Sequence, residues 1–123
     1  MITCNHGLRG NLTFSSQIVM KTDSTKIDAT DDITIYKNVI ISDDVYIYTH
    51  DHDMNSDDRN GNIVHSPLVI EENVFIGVRA TILNSCNRIG KNSVIGACTV
   101  VTKDVPDNVI YAGNPGKVIR KLK

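Results

Sequence analysis

The stretch that decides the fold is residues 68–101, which read LVIEENVFIGVRATILNSCNRIGKNSVIGACTVV. Its apolar residues recur every six positions, with a single gap of seven, at Ile70, Ile76, Ile82, Ile89, Ile95 and Val101. A second stripe lies two positions earlier, at Leu68, Val74 and Ala80 and, more weakly, at Thr99. Side chains two apart in a strand point to the same face. Each hexapeptide therefore predicts a short strand with two inward residues followed by a turn, which is the sequence form of a parallel β-helix.

The same period appears upstream, in residues 27–47. The predicted inward positions there are Ile27, Ala29, Ile33, Ile35, Val39, Ile41, Val45 and Ile47. Gly77, Gly90 and Gly96 each follow an inward isoleucine, where a tight corner favours glycine. Asp28 and Asp44 are predicted to be corner residues whose carboxylates bond nearby backbone. The alternative fold, a β-sandwich, needs several hairpin signals, and only Asn60-Gly61 is a good one.

The pattern predicts one all-β domain over residues 1–123. Residues 1–26 are expected to be an irregular capping coil, because an uncovered terminal coil would expose an unpaired strand edge. Residues 48–67 interrupt the repeats and are expected to form a protruding loop. Residues 105–123 are expected to be a short C-terminal tail.

Composition limits the classes of partner. The net charge of −1 gives no global reason to expect nucleic acid or a membrane surface. No apolar run approaches the ~18 residues of a membrane span, and residues 1–26 lack the apolar core of a signal peptide. Cys4, Cys86 and Cys98 are scattered and odd in number. They are expected to be reduced thiols of a cytoplasmic protein.

The loop 48–67 carries three of the four histidines, His50, His52 and His65. A polar loop on a rigid β-scaffold is a common place for function. A single aspartate in such a loop is most simply a solvated residue. The pair His50 and His52, two positions apart and next to the last strand of the first block, is the stronger candidate for a functional site.

Several stretches match a known family. They are residues 48–56, 67–77, 79–83, 93–97, 100–106, 112–115 and 117–120. The chain resembles the hexapeptide-repeat O-acetyltransferases of the maltose, galactoside and exopolysaccharide sugar acetyltransferase group. The resemblance implies a left-handed β-helix, a handedness that periodicity alone does not give. It also implies a homotrimer that binds acetyl-coenzyme A between neighbouring chains and a sugar or saccharide acceptor.

The resemblance also implies roles for individual residues. His52 takes the place of the catalytic base, which removes a proton from a sugar hydroxyl as its oxygen attacks the thioester. His50, Asp53 and Phe75 are expected on the acceptor side. Coenzyme A is expected to contact Gly77, Ala97, Thr102, Lys103, Lys117 and Arg120. Transfer is direct, so neither a cysteine nucleophile nor a metal is expected.

The chain departs from the family at two places that bear on the site. Phe75 stands where tryptophan is usual, and the corner 84–87 has one residue more than the family's Pro-Gly turn. Two other functions remain open. One is a metal-dependent hydratase with His50, His52 and His65 as ligands, since zinc often takes three histidines. The other is a non-catalytic β-helix that serves as an assembly module.

Overall fold

All regular structure in the computed structural model, which describes residues 2–3, 10–14, 19–20 and 24–123, is β-strand. The strands before residue 67 are β1 (Ile2–Thr3), β2 (Leu12–Phe14), β3 (Val19–Met20), β4 (Lys26–Asp28), β5 (Ile33–Ile35), β6 (Ile40–Ile41), β7 (Tyr46–Tyr48), β8 (His50–His52) and β9 (Ile63–His65). The later strands are β10 (Leu68–Ile70), β11 (Phe75–Ile76), β12 (Thr81–Ile82), β13 (Arg88–Ile89), β14 (Val94–Ile95), β15 (Val100–Val101), β16 (Val109–Gly113) and β17 (Gly116–Lys121).

The chain winds through three sheets in a fixed order. Sheet A contains β1, β4, β7, β12 and β15; sheet B contains β2, β5, β10 and β13; and sheet C contains β3, β6, β11, β14, β16 and β17. Successive strands enter sheets B, C and A in turn, and each pairs in parallel with its counterpart one coil away. This is the parallel β-helix expected from the repeats, with the left-handed winding that the resemblance implies. In the described residues no helix is long and apolar enough to cross a membrane.

The core consists of stacked residues of the same kind. On sheet A the ladder is Ile27, Ile47, Ile82 and Val101, and on sheet C it is Ile41, Ile76, Ile95 and Tyr111. On sheet B it is Ile35, Ile70 and Ile89, extended by a bridge to Val105. All are buried, as are the predicted second-stripe residues. This burial confirms the predicted hexapeptide pattern. Each such side chain stabilises the fold by roughly 1.5–3 kcal/mol relative to an exposed one.

Glycine is needed at the repeat corners for a different reason from the one predicted. Gly77, Gly90 and Gly96 do not have left-handed backbone; that conformation occurs at Asn38, Asp44, Asn73, Arg79, Asn92, Cys98 and Asn108. A Cβ at Gly77 would lie 2.7 Å from the amide nitrogen of Ala97 on the next coil. At Gly90 it would lie 2.5 Å from the amide nitrogen of Asp107. Glycine is therefore required at these two positions by the close approach of neighbouring coils.

The two ends of the chain extend the stack. Most of the predicted capping coil lies outside the described residues, but β1, β2 and β3 pair in parallel with β4, β5 and β6. At the other end, β16 and β17 form an antiparallel hairpin on sheet C. Val105, Val109 and Tyr111 of this C-terminal segment are buried in the core. The predicted tail thus contributes the last layer of the core.

Candidate functional site

The predicted loop is an antiparallel hairpin of β8 and β9 that interrupts the coil between β7 and β10. His50 is opposite His65, and His52 is opposite Ile63. Thr49, which is buried, joins the hairpin to the coil below it. Its hydroxyl donates to the carbonyl of Asp28 at 2.7 Å and accepts from the amide of Asp31 at 2.9 Å. The base of the hairpin is therefore fixed to the corner 28–31 of the prism.

The His50 imidazole is paired with a buried carboxylate. Its Nδ1 contacts Oδ2 of Asp28, and the two side chains are 9% and 4% exposed. Thr30 Oγ1 donates to Asp28 Oδ1 at 2.7 Å and lies 3.2 Å from His50 Nδ1. Because the Thr30 hydroxyl gives its one hydrogen to Asp28, it can only accept from His50. The network therefore assigns the proton to Nδ1 and the basic lone pair of neutral His50 to Nε2.

Asp28 was expected to bond its nearby backbone at a corner, and this expectation is wrong. The residue is buried, and its carboxylate binds Thr30 and His50. Sequence reasoning missed this role because the histidine is 22 positions away in the chain. The available signal was the coil repeat, which pairs Asp28 with Tyr48 on sheet A and so places it beside the start of the hairpin.

His52 is held by the hairpin itself. Its Nδ1 donates to the carbonyl of Arg59 at 2.7 Å, and its amide donates to Asp51 Oδ1 at 2.7 Å. A carbonyl can only accept, so the lone pair of neutral His52 also lies on Nε2. The ring is half-buried, and its centroid lies 6.1 Å from that of His50. The structure therefore brings the two predicted histidines together.

A second imidazole–carboxylate pair anchors the return strand of the hairpin. His65 Nδ1 lies 2.8 Å from Asp31 Oδ2. Partial burial acts to raise the pKa of Asp31, but the hydrogen bonds from His65 and the Asp32 amide outweigh it, and the pKa is lowered. The corner 28–31 thus binds both strands of the hairpin.

A cleft of about 320 Å³ opens beside the two histidines. It is lined by Tyr48, His50, Asp51, His52, Leu83 and Asn84. Leu83 and Asn84 come from the corner that has one residue more than the family's turn. The hydroxyl of Ser66 donates to the carbonyl of Asn84, and Asn87 Nδ2 donates to the carbonyl of Pro67 at 2.8 Å. This corner is therefore tied to the return strand, and sequence reasoning gave it no functional role.

Two predicted acceptor residues lie elsewhere. The Asp53 carboxylate accepts from the Asn55 amide at 3.0 Å, and the Asp53 amide donates to the carbonyl of Asn62 at 2.9 Å. Phe75 is 40% exposed on β11 of sheet C. Neither residue lines the cleft. In the described chain Asp53 organises the hairpin tip, whereas Phe75 belongs to a different face of the prism.

The positions predicted to contact coenzyme A occupy three places. Gly77 and Ala97 lie one above the other at the corner between sheets C and A. Thr102 and Lys103 follow β15 of sheet A, one coil beyond Leu83 in the cleft wall. Lys117 and Arg120 lie on β17 at the edge of sheet C. Within one chain, only Thr102 and Lys103 lie at the same corner of the prism as the histidine cleft.

The arrangement of these side chains also bears on metal ligation. In the part of the chain that the structure describes, no three His, Cys, Asp or Glu side chains form a group that could hold a metal ion. His50 and His65 direct Nδ1 to carboxylates, and His52 directs Nδ1 to a carbonyl.

The sequence has close relatives among curated proteins, although no family profile matches it. It is 41% identical over 113 residues to the galactoside O-acetyltransferase of Lactococcus lactis, across 91% of this chain and 54% of the relative. It is 42% identical over 91 residues to the galactoside O-acetyltransferase of Escherichia coli, across 73% of this chain and 44% of the relative. The chain thus spans about half the length of these curated relatives.

Solved structures agree with the sequence matches. A maltose O-acetyltransferase from Clostridium difficile 630 superposes with a TM-score of 0.72 at 32% identity, over 92% of this chain and 67% of that one. A galactoside acetyltransferase in complex with coenzyme A superposes with a TM-score of 0.77 at 32% identity, over 99% of this chain and 64% of that one. The chain therefore belongs to the hexapeptide-repeat acetyltransferase family, in the group of the galactoside and maltose O-acetyltransferases.

Proposed function

We propose that this chain provides the catalytic β-helix of an O-acetyltransferase that moves an acetyl group from acetyl-coenzyme A to a hydroxyl of a sugar or saccharide. The observation that carries the proposal is the imidazole–carboxylate pair of His50 and Asp28 at the edge of the cleft. It stands on a scaffold shared with a galactoside acetyltransferase that binds coenzyme A. A base is needed because a sugar hydroxyl is a poor nucleophile until its proton is removed.

The proposed reaction is a direct transfer. The hydroxyl proton passes to Nε2 of a hairpin histidine as the oxygen attacks the thioester carbonyl and the C–O bond forms. The tetrahedral intermediate then collapses, the C–S bond breaks, and the coenzyme A thiolate leaves. The imidazolium returns its proton to the sulfur, so the histidine ends the cycle neutral. A backbone N–H donor near the carbonyl would stabilise the oxyanion.

The geometry supports His50 as the base more strongly than His52, the residue that the resemblance implies. Both rings carry the lone pair on Nε2, so the tautomer does not separate them. Nδ1 of His50 contacts a buried carboxylate, whereas Nδ1 of His52 contacts a neutral carbonyl on the exposed hairpin. A carboxylate stabilises the imidazolium that forms when the base accepts a proton. His52 remains the competing prediction and is included in the test.

Initial rates and cofactor binding distinguish the two histidines. With acetyl-coenzyme A and galactoside or maltose acceptors, we expect His50→Ala to lower kcat by about 10²–10⁴-fold, the usual contribution of a general base. Coenzyme A affinity by calorimetry should be nearly unchanged, and His52→Ala should cost less than about tenfold. A severe loss in His52→Ala beside a mild loss in His50→Ala would assign the base to His52. Wild-type rates in both variants would remove histidine catalysis from the proposal.

Coenzyme A is proposed to bind along Gly77, Ala97, Thr102, Lys103, Lys117 and Arg120. Neutralising Lys103 or Arg120 should raise the KM for acetyl-coenzyme A more than it lowers kcat, because phosphate contacts are similar in the ground and transition states. Lys121→Ala is the matched control, since it lies on the same strand as Arg120 but at a position without a predicted contact. Unchanged calorimetric binding in both variants would contradict this placement.

The proposed assembly is a homotrimer with the cofactor between neighbouring chains. Gly77 and Ala97 lie at a different corner of the prism from His50, with sheet A between them. A cofactor that contacts both sets is therefore most simply shared by two chains. Light scattering should give three times the chain mass of 13.6 kDa. A stable monomer at micromolar concentration would exclude the shared site.

A further inference from the structure

We propose that Asn60 is a site of spontaneous covalent modification, at which the main chain displaces the side-chain amide and leaves a mixture of aspartate and isoaspartate. Asn60-Gly61 is the only Asn-Gly pair in the sequence. The pair is a hairpin signal, and the proposed acetyl transfer makes no use of it. The inference goes beyond that reaction and does not depend on which histidine is the base.

The reaction needs only the chain and water. The Gly61 amide nitrogen attacks the side-chain carbonyl carbon of Asn60, and the new C–N bond closes a five-membered succinimide ring. The bond to the side-chain nitrogen breaks, and ammonia leaves with the proton of the Gly61 amide. Water then opens the ring at either carbonyl, which gives aspartate or isoaspartate. Both reacting groups lie in one dipeptide, so the first step is unimolecular.

The tip of the hairpin leaves both reacting residues accessible. Asn60 and Gly61 lie in the turn between β8 and β9, and both are exposed. Gly61 has no Cβ to shield its nitrogen. Its backbone is not left-handed, so the turn does not demand glycine for its dihedral angles. The attacking nitrogen is therefore open to the Asn60 side chain.

Asp58 is placed to accept the proton that Gly61 must lose. The Gly61 amide donates to Oδ1 of Asp58 at 3.1 Å. An amide nitrogen becomes a nucleophile as its proton leaves, and a positioned carboxylate can take that proton. The Asn62 amide donates to the carbonyl of Asp58 at 3.0 Å, which keeps Asp58 and Gly61 in one closed turn. The turn therefore holds the proton acceptor beside the reacting amide.

Another asparagine that precedes a small residue has the opposite surroundings. The Asn92 side chain accepts from Asn73 Nδ2 at 3.1 Å and donates to Asn108 Oδ1 at 2.9 Å, so both ends of its amide are bonded to neighbouring coils. Ser93, which follows it, is buried. Attack by the Ser93 nitrogen would break both bonds and would need space inside the prism. Asn92 is therefore an internal control that should stay intact.

The modification reaches the candidate site through Arg59. The Arg59 carbonyl, which accepts from His52 Nδ1 at 2.7 Å, belongs to the peptide group that joins Arg59 to Asn60. Isoaspartate adds one carbon to the main chain inside the turn that the Asn62 amide closes. The turn cannot then close in the same way, so the carbonyl shifts and His52 loses a contact that orients its ring. Ageing of the hairpin tip thus disturbs one histidine and leaves the prism intact.

Mass spectrometry of the folded protein tests the modification. After incubation at mildly alkaline pH and physiological temperature, the peptide containing Asn60 should gain one dalton and contain isoaspartate by electron-transfer fragmentation. Asn60→Gln should stay unmodified, because its ring would need six members. Asp58→Asn keeps an acceptor for the Gly61 amide but is not a base, and it should slow the modification at least about threefold. Asp57→Asn, an exposed change beside it, should keep the wild-type rate.

Two outcomes of this experiment would overturn the assignment. An Asn60 that stays intact, or an Asn92 that is modified as fast, would show that the hairpin tip is not a special site. A wild-type rate in Asp58→Asn would remove the carboxylate from the reaction.

Imidazole NMR tests the link to the candidate site without any activity measurement. Long-range proton–nitrogen spectra distinguish the two tautomers of a neutral histidine. In the incubated protein the Nδ1–H form of His52 should decline in step with the isoaspartate content. His65, which pairs with Asp31 at the other end of the hairpin, should keep its signals, and so should His52 in incubated Asn60→Gln. Unchanged His52 signals in fully modified protein would overturn the link.

Discussion

The β-helical prism and the hairpin 50–65 are stabilised by different kinds of contact. In the prism, most inward isoleucines and valines stack on another isoleucine or valine one coil away, and they are buried. In the hairpin, Val64 is 45% exposed and Met54 is 58% exposed. The hairpin is held instead by two histidine–carboxylate pairs and by Thr49. The stability of the prism therefore depends on a repeated apolar pattern, whereas the candidate site depends on a few polar pairs.

The largest effect should come from Asp28→Asn, which removes the negative charge from the pair with His50. The amide keeps the shape of the carboxylate but cannot balance the imidazolium charge of His50, and it can favour the wrong tautomer. We expect kcat to fall by about 10²–10⁴-fold, the order seen when the carboxylate partner of a catalytic histidine is neutralised. The free energy of unfolding should change far less than this, and the KM for acetyl-coenzyme A should stay within about twofold.

The control for Asp28→Asn is Asp57→Asn, an exposed change in the same hairpin. A positioning role also predicts a displaced pH profile of kcat, which a purely structural defect would not produce. An Asp28→Asn enzyme with more than half of the wild-type kcat would show that the pair with His50 does not serve catalysis.

The second largest effect should come from truncating an isoleucine in the core of the prism. Ile76 is fully buried between Ile41 and Ile95 on sheet C. Ile76→Ala should lower the free energy of unfolding by about 2–5 kcal/mol, the usual cost of such a truncation in a core. Val64→Ala, in the hairpin, should cost less than about 0.5 kcal/mol because its side chain is exposed. Urea unfolding at one fixed protein concentration measures both free energies. Equal losses in the two variants would show that the prism and the hairpin do not differ in their dependence on apolar burial.

The prism could be predicted well from the sequence because the pattern that produces it is local and repeated. The six-residue period identifies inward residues, and each of the two stripes from residue 27 to residue 101 is buried as expected. The glycines were interpreted less well. Gly77 looked like a residue needed for a tight turn, but the constraint on it comes from Ala97 on another coil. A period in the sequence shows which residues point inward and says little about how closely the coils approach.

The site was predicted only in part because its contacts are not periodic. The histidine pair was visible in the sequence as a polar interruption, and the structure does bring His50 and His52 together. Their partners were not visible, since Asp28 and Asp31 lie 22 and 34 positions from His50 and His65. The wall residue Asn84 was noticed only as a departure in turn length. Which side chains meet there depends on how the hairpin folds back, and no local pattern encodes that.

A smaller effect concerns thiol chemistry in the two environments. Burial raises the pKa of the Cys86 thiol to about 12, and a hydrogen bond with the Arg88 backbone offsets a small part of this rise. Cys98 is exposed at a corner. Because the thiolate is the reactive form, a thiol reagent at mildly alkaline pH should label Cys98 within minutes and Cys86 only when the prism unfolds. Mass spectrometry in a Cys4→Ser background checks this, and rapid labelling of Cys86 in the folded protein would contradict the closed core.

The smallest expected effect is the acid response of the second histidine–carboxylate pair. The folded pKa of Asp31 is lowered: burial opposes the shift, while the hydrogen bonds from His65 and the Asp32 amide produce it. A lowered carboxylate pKa adds stability above the unfolded value of about 3.9, and this stability is lost as pH falls through the folded pKa. Asp31→Asn should therefore be slightly less stable than wild type at neutral pH and should lose less stability on acidification below about pH 4. Thermal unfolding at stepped pH measures both slopes. Asp57→Asn, which removes a carboxylate from the same hairpin, should keep the wild-type acid slope, and a wild-type slope in Asp31→Asn would show that the pair does not hold β9 to the prism.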